Sequence, residues 1–176
     1  TVYRVGGVIL SKEKMFSLKD NNIMIRYKLL DAHSPTTIRF RPFLAFRDIN
    51  SLTIENDRVN RSYRDVEHGI STCMYEGYPE LFMQFSKKVK FFFDPVWYKG
   101  IEYKEDMKDG YAYKEDLYVP GYFELPITKG ETIIFSAGDK KVSTQTLIQS
   151  FEDGLKERTP RSSFYKVSSY SVISIP

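Results

Sequence analysis

Apolar and polar side chains alternate with a period of two through most of the chain up to Ser136, the spacing of half-buried β-strands. Over residues 23–29, Ile23, Ile25, Tyr27 and Leu29 share one phase and Met24, Arg26 and Lys28 the other, which predicts a strand with one buried and one wet face. An apolar run at 15–18 precedes it. Between the two lie Lys19, Asp20, Asn21 and Asn22, and Asn and Asp tolerate the left-handed conformations that hairpin turns require, so the pair reads as a β-hairpin. Residues 2–10 form a β-branched run interrupted by Gly6 and Gly7, which predicts a strand with a bulge or a close backbone approach. Ile38, Phe40, Leu44 and Phe46 alternate with Arg39, Arg41 and Arg47, predicting a strand over 38–46. Pro42 removes a ladder donor there, so that strand is either at an edge or bulged.

Residues 51–70 are polar and turn-rich, after which β-like runs resume at 71–75, 81–85, 89–93 and 132–136. The period changes only after Gly138. Leu147, Ile148, Phe151 and Leu155 then fall on one helical face, with Ser143 as a plausible N-cap and Pro160 beyond the end. Gly154 inside this helix costs about 1 kcal/mol relative to Ala. From Thr159 onward the sequence is Ser-rich without a helical stripe, and reads as a linker, an added strand or the start of another unit. The expected organisation is therefore all-β over residues 1–138, a linker helix over 139–160 and a tail over 161–176.

Candidate chemistry concentrates in residues 91–125, which hold the only tryptophan, six tyrosines and a cluster of carboxylates. Pro120 and Gly121 predict a tight turn between aromatic arms. Glu115 and Asp116 are adjacent, and neighbouring side chains on a strand point to opposite faces, so the two do not address one glycosidic bond. Glu105 and Glu115 lie across a turn. They are the alternative pair for glycosidase chemistry, which needs two carboxyls about 5 to 9.5 Å apart, against a reading of both as solvated acids or caps. Trp97, Tyr98, Tyr103, Tyr113, Tyr118 and Tyr122 form either a platform for stacking on sugar rings or ordinary core. Arg47 and Asp48 are read as a polar anchor at a cleft rim, or as a local ion pair or turn cap.

His33 and His68 lack a spaced ligand partner, so no metal site is expected, and no phosphate loop or other cofactor motif occurs. Cys73 has no catalytic motif around it, and no nucleophile elbow is present. The net charge of +3 over 176 residues is far from the clustered basic excess of a nucleic-acid binder. A mean hydropathy of −0.40, with no apolar run approaching the roughly 20 residues of a membrane helix, predicts no membrane partner. At this length one domain buries about 70% of its unfolded surface, enough for a sizeable core. Charge is uneven, because residues 101–131 carry four Lys against eight Asp or Glu, and the acidic part is the aromatic part. A single cysteine excludes an intrachain disulfide and allows a reducing compartment, so the expectation is a cytoplasmic protein. Thr1 in place of an initiator Met reads as a fragment or a processed chain.

The motifs PFLAFRD at 42–48, FDPVWY at 93–98, the trio Glu102, Tyr103 and Glu105, and YKEDLYVPGYF at 113–123 stand in an order that resembles the N-terminal domain of bacterial and archaeal-type glycogen debranching enzymes, the amylo-α-1,6-glucosidase family. The resemblance runs from near Thr1 to about Arg158. It implies a large two-sheet β-sandwich of the glucoamylase N-terminal-domain type, followed by one linker helix that docks it to an α-helical toroid. In that family hydrolysis of α-1,6 branch points belongs to the toroid. Its opening segment, rich in Trp, Gly, Arg and Asp, has no counterpart before Pro176, so no catalytic acid is carried over to this chain. The implied partners are glycogen or another α-glucan, met through the parent enzyme, and the catalytic domain itself. Arg47, Asp48, Trp97, Tyr98, Glu105, Glu115, Asp116 and Tyr118 are the candidates for contact with sugar or with that domain. A free-standing glycan-binding sandwich is the alternative, and an enzyme using Glu105 and Glu115 the third reading. The chain departs from the family at Asp109, where an arginine is expected, and at Ile49 and Asn50, where an aromatic and a histidine are common.

Overall fold

A computed structural model describes residues 1–17 and 20–157. Along the chain the elements are β1 (Val2–Val5), β2 (Val8–Ser17), β3 (Asn22–Asp31), β4 (Thr36–Phe40), β5 (Tyr63–Val66), β6 (Gly69–Thr72), β7 (Leu81–Phe85), β8 (Lys90–Glu102), α1 (Lys104–Lys108), β9 (Lys114–Ile127), β10 (Thr132–Gly138) and α2 (Leu147–Glu157). Seven strands form one sheet in the order β1-β2-β3-β10-β7-β6-β5, and three form a second in the order β4-β9-β8. The sheets close on an aromatic core that includes Tyr27, Phe85, Trp97, Tyr118, Phe123 and Phe135. This is the all-β sandwich that the period-two pattern and the resemblance predict.

The opposite face of the large sheet is also covered. Met15, Met24 and Ile134, out of phase with Tyr27, Ile133 and Phe135, pack with Leu147 and Phe151 of α2. Met24 and Arg26 are therefore not on a wet face, because α2 covers the outer face of β3 along its first half. Strand periodicity alone cannot reveal this, because the covering helix is more than a hundred residues away.

The hairpin at residues 15–29 forms as expected, with Ser17 opposite Asn22 and Asn21 at φ +46°. Lys19 of its turn lies outside the described residues. Gly6 and Gly7 are not a bulge. With φ of +54° and +80° they make the two-residue turn that joins Val5 to Val8, a geometry open to glycine at both positions. The short strands β5 and β6 pair as a hairpin turned at His68, with φ +52°, so strand begins inside the polar, turn-rich stretch 51–70 and ends at Thr72, short of the expected run over 71–75. Ahead of α2, Ser143 is not the N-cap: its carbonyl accepts from the backbone and hydroxyl of Thr146 in a preceding turn, and the helix begins at Leu147. Ile148 is exposed rather than on the packed face. A Cβ at Gly154 would stand 2.4 Å from Met15 Sδ, so the missing side chain lets α2 approach β2. The expected helix end at 160 and the tail over 161–176 lie outside the described residues.

The largest correction concerns Pro120 and Gly121, which lie inside the continuous strand β9 rather than in a turn. The register between β8 and β9 passes from Phe93 opposite Gly121 to Val96 opposite Val119, so Asp94 and Pro95 bulge against Pro120 alone. A Cβ on Gly121 would stand 2.1 Å from the Phe92 carbonyl oxygen, and its φ of +153° is one that other residues avoid. On the other side the β4 ladder ends at Phe40 opposite Phe123, and a single bridge, Leu44 to Tyr118, resumes it. Residues 38–46 are thus a short strand and an irregular segment rather than one strand. Pro42, Pro95 and Pro120 all fall in this gap, where no ladder bond is asked of them.

Candidate functional site

Glu115 stands one residue into β9 and is buried, with a relative exposure of 1%. Arg47 reaches it with two nitrogens: Nε donates to Oε1, and Nη2 donates to Oε2 at 3.1 Å. The Tyr103 hydroxyl donates to Oε2 at 2.5 Å and the Thr53 backbone N–H to Oε1 at 3.1 Å. Burial by itself raises the carboxyl pKa, but the donors from Arg47, Tyr103 and Thr53 outweigh it and hold Glu115 below the usual carboxylate range. Arg47 also donates from Nη1 to the carbonyls of Asp48 and Ile49, at 3.0 and 3.1 Å.

Asp116 points the opposite way, as strand geometry requires. It accepts from the backbone N–H of Glu55 at 2.9 Å and of Gly100 at 2.8 Å, and these bonds keep its pKa low. Its own N–H donates to the Thr53 carbonyl at 2.8 Å. Two adjacent acids on opposite faces therefore secure the same segment, residues 47–55, to the β8–β9 hairpin. Lys99 pairs with Glu55 beside them. Asp48 takes neither an ion pair with Arg47 nor a place in the core; it caps a turn by accepting from Asn50 N–H at 2.8 Å.

A cleft of about 510 Å³ opens where β4 stops at Phe40 while the large sheet runs on. Its floor is the part of that sheet's inner face left open among the described residues, Ile23 and Ile25 of β3, Phe135 and Ala137 of β10 and Met83 of β7. Residues 41–47 and 78–81 form walls. The first wall is fixed at Leu44, whose N–H donates to the Tyr118 carbonyl at 2.9 Å, and at Arg47 through Glu115. In the second, Tyr78 lies 6.3 Å from Phe46, and the Tyr78 carbonyl accepts from Cys73 Sγ at 3.3 Å. Phe43 and Tyr78 keep 43% and 42% of their surface exposed.

A family model described as glycogen debranching enzyme N terminal matches residues 1–134. The chain belongs to this family. No curated protein and no solved structure matches it. In this debranching-enzyme domain the matched span contains the whole Arg47–Glu115 network and all of the small sheet, and ends within β10.

The remaining candidates of the debranching-enzyme domain separate. Trp97, 9% exposed, packs against Tyr118, 1% exposed, with ring centroids 5.5 Å apart, so both belong to the core. Tyr98 leans on Phe43 at 4.7 Å. Tyr122 lies on the outer face of the small sheet, stacked on Phe92 at 4.9 Å beneath Arg39 and Arg41. Glu105 sits on α1 with 67% of its side chain exposed and pairs with Lys108 at 2.8 Å. Glu105 and Glu115 share no partner among the described hydrogen bonds. No group of three His, Cys, Asp or Glu able to hold a metal occurs among the described residues. Phe43 and Tyr78, the half-exposed aromatics of the two cleft walls, fall in stretches whose sequence reads as strand and connector. Their signal was a large aromatic at a wet position of an irregular segment.

Proposed function

We propose that this chain is the non-catalytic N-terminal domain of a cytoplasmic glycogen debranching enzyme, which helps to shape and orient an α-glucan beside a separate catalytic domain. The observation that carries the non-catalytic reading is the occupation of Glu115. Both of its oxygens are taken by Arg47, Tyr103 and Thr53 in a buried site, while a glycosidase needs two carboxyls facing one sugar bond with room for the substrate. A carboxyl held below its usual range is also a poor general acid. Glu105, at the surface in an ion pair with Lys108, supplies no second member. Asp48, Tyr98 and Glu105 lie at the end of the small sheet secured by the Arg47–Glu115 network, and this end is the surface we assign to the catalytic domain. Arg47, Glu115 and Asp116 hold its shape.

Incubation of the purified chain with limit dextrin checks the reading, and no release of glucose is expected. Glucose release that disappears in Glu115→Gln would overturn it.

A further inference from the structure

We propose that the cleft between residues 41–47 and 78–81 binds a short, uncharged α-glucan segment, with Phe43 and Tyr78 as the ring surfaces against which glucose units lie. The glucan identity rests on the debranching-enzyme reading, while the existence of the site rests on the geometry of the cleft.

The cleft is built into the sandwich. Seven strands face three, and the small sheet stops at Phe40 and Pro42, so among the described residues the inner face of β3, β10 and β7 has no strand above it at this level. Its volume of about 510 Å³ falls within the range of small-ligand sites, which are mostly apolar with a few polar groups at the mouth. The walls are fixed before any ligand arrives. Leu44 is bonded to β9, Arg47 is locked on Glu115, and the 73–78 turn is closed by Cys73. Preorganisation of this kind lowers the cost of binding.

The charges around the cleft select the class of ligand. Arg41 pairs with Asp94 at 3.6 Å, Glu80 with Arg64 at 2.5 Å, Arg47 with Glu115, and Asp139 accepts from Asn21 at 3.0 Å. Every charged group at the mouth already has a partner of opposite sign or a donor. An anionic or cationic ligand would have to break one of these pairs, whereas hydroxyl groups can share the spare lone pairs of Glu80 without separating it from Arg64. Half-exposed rings, an apolar floor and neutral polar edges fit the alternating C–H faces and hydroxyl rims of a glucose chain. A fatty chain would use the floor and leave the rim unused.

Titration of the isotope-labelled chain with maltotetraose, followed by amide and aromatic NMR shifts, tests this. Saturable shifts at Phe43, Tyr78 and the ends of β3 and β10 are expected, with millimolar affinity. Tyr78→Ala and Phe43→Ala should each weaken binding about tenfold, while Tyr78→Phe, which keeps the ring, should stay within about twofold of the parent. Thermal melts of the three variants separate loss of the ring from loss of the fold. Absence of saturable shifts, shifts that map elsewhere, or unchanged affinity in a folded Tyr78→Ala would overturn the proposal. So would binding of an apolar dye in the cleft that maltotetraose does not displace. Any of these leaves the assignment as a debranching-enzyme domain standing. Glucose release by the chain would break the non-catalytic reading instead and leave the cleft untouched.

Discussion

Two guanidinium clusters brace this sandwich from opposite sides, and their cations are buried alike. The Arg47 side chain is 19% exposed and that of Arg26 is 20%. Arg47 lies at the end of the small sheet and holds Glu115, whose side chain is 0% exposed. Arg26 lies under α2, over the ring of Phe151 at 4.8 Å, and holds Glu13 and Glu152, whose side chains are 44% and 45% exposed. The difference teaches that the anion, more than the cation, sets the weight of each cluster. When the arginine is removed, Glu13 and Glu152 regain water, but Glu115 does not.

Arg47→Ala is the largest test of this contrast. It leaves a buried carboxylate uncompensated and should cost about 3–5 kcal/mol, read as a lower midpoint in urea unfolding. The pH dependence gives the sign. Glu115 has a folded pKa below its unfolded value, so its contribution is complete above the unfolded pKa of about 4.3 and is lost as pH falls through the lower folded value. In the variant the desolvation of Glu115 remains without Arg47, so the gap to the parent should narrow on acidification toward about pH 4. A gap that widens instead would show that the network does not hold an ionised Glu115.

Arg26→Ala should cost less, about 1–2 kcal/mol, from the lost ring contact and two half-exposed pairs. Added salt should shrink this cost more than that of Arg47→Ala, because exposed pairs are screened and buried ones are not. If the two substitutions prove equal, burial of the anion is not what separates them. The smallest effect is expected for Glu152→Gln, below about 1 kcal/mol, since Arg26 keeps Glu13 and the ring. A larger loss would mean that α2 is held chiefly by charge and not by Leu147 and Phe151.

Much of the architecture was legible because it is local. The alternation of Ile23, Ile25, Tyr27 and Leu29, with Asn21 in the turn, is enough to specify the β2–β3 hairpin. The opposed directions of Glu115 and Asp116 also follow from strand geometry alone. The site was less legible, because its partners are distant in sequence. Arg47 meets Glu115 across 68 positions, and neither flanking sequence announces the other. Thr53 enters through its backbone, which no side-chain pattern can signal. Pro120 and Gly121 were misread because the pair marks a turn when taken alone. Their actual reason is the bulge at Asp94 and Pro95 on the neighbouring strand. Trp97 and Tyr118 gave the aromatic signal of a binding platform, yet rings of this size serve equally as core, and the half-exposed rings of the cleft walls, Phe43 and Tyr78, lie outside the strands.

The row of prolines across the small sheet has a consequence for how the protein meets other copies of itself. Its outer strands, β4 and β8, are open edges among the described residues, and β8 with 13 residues is the longest strand edge left unpaired. An open edge of that length is a template for an incoming strand and a route to aggregation. Pro95 and its bulge divide β8 into two short runs, and Pro42 ends any extension of β4. The interruption that makes room for the cleft thus also denies a second chain a continuous edge on which to grow.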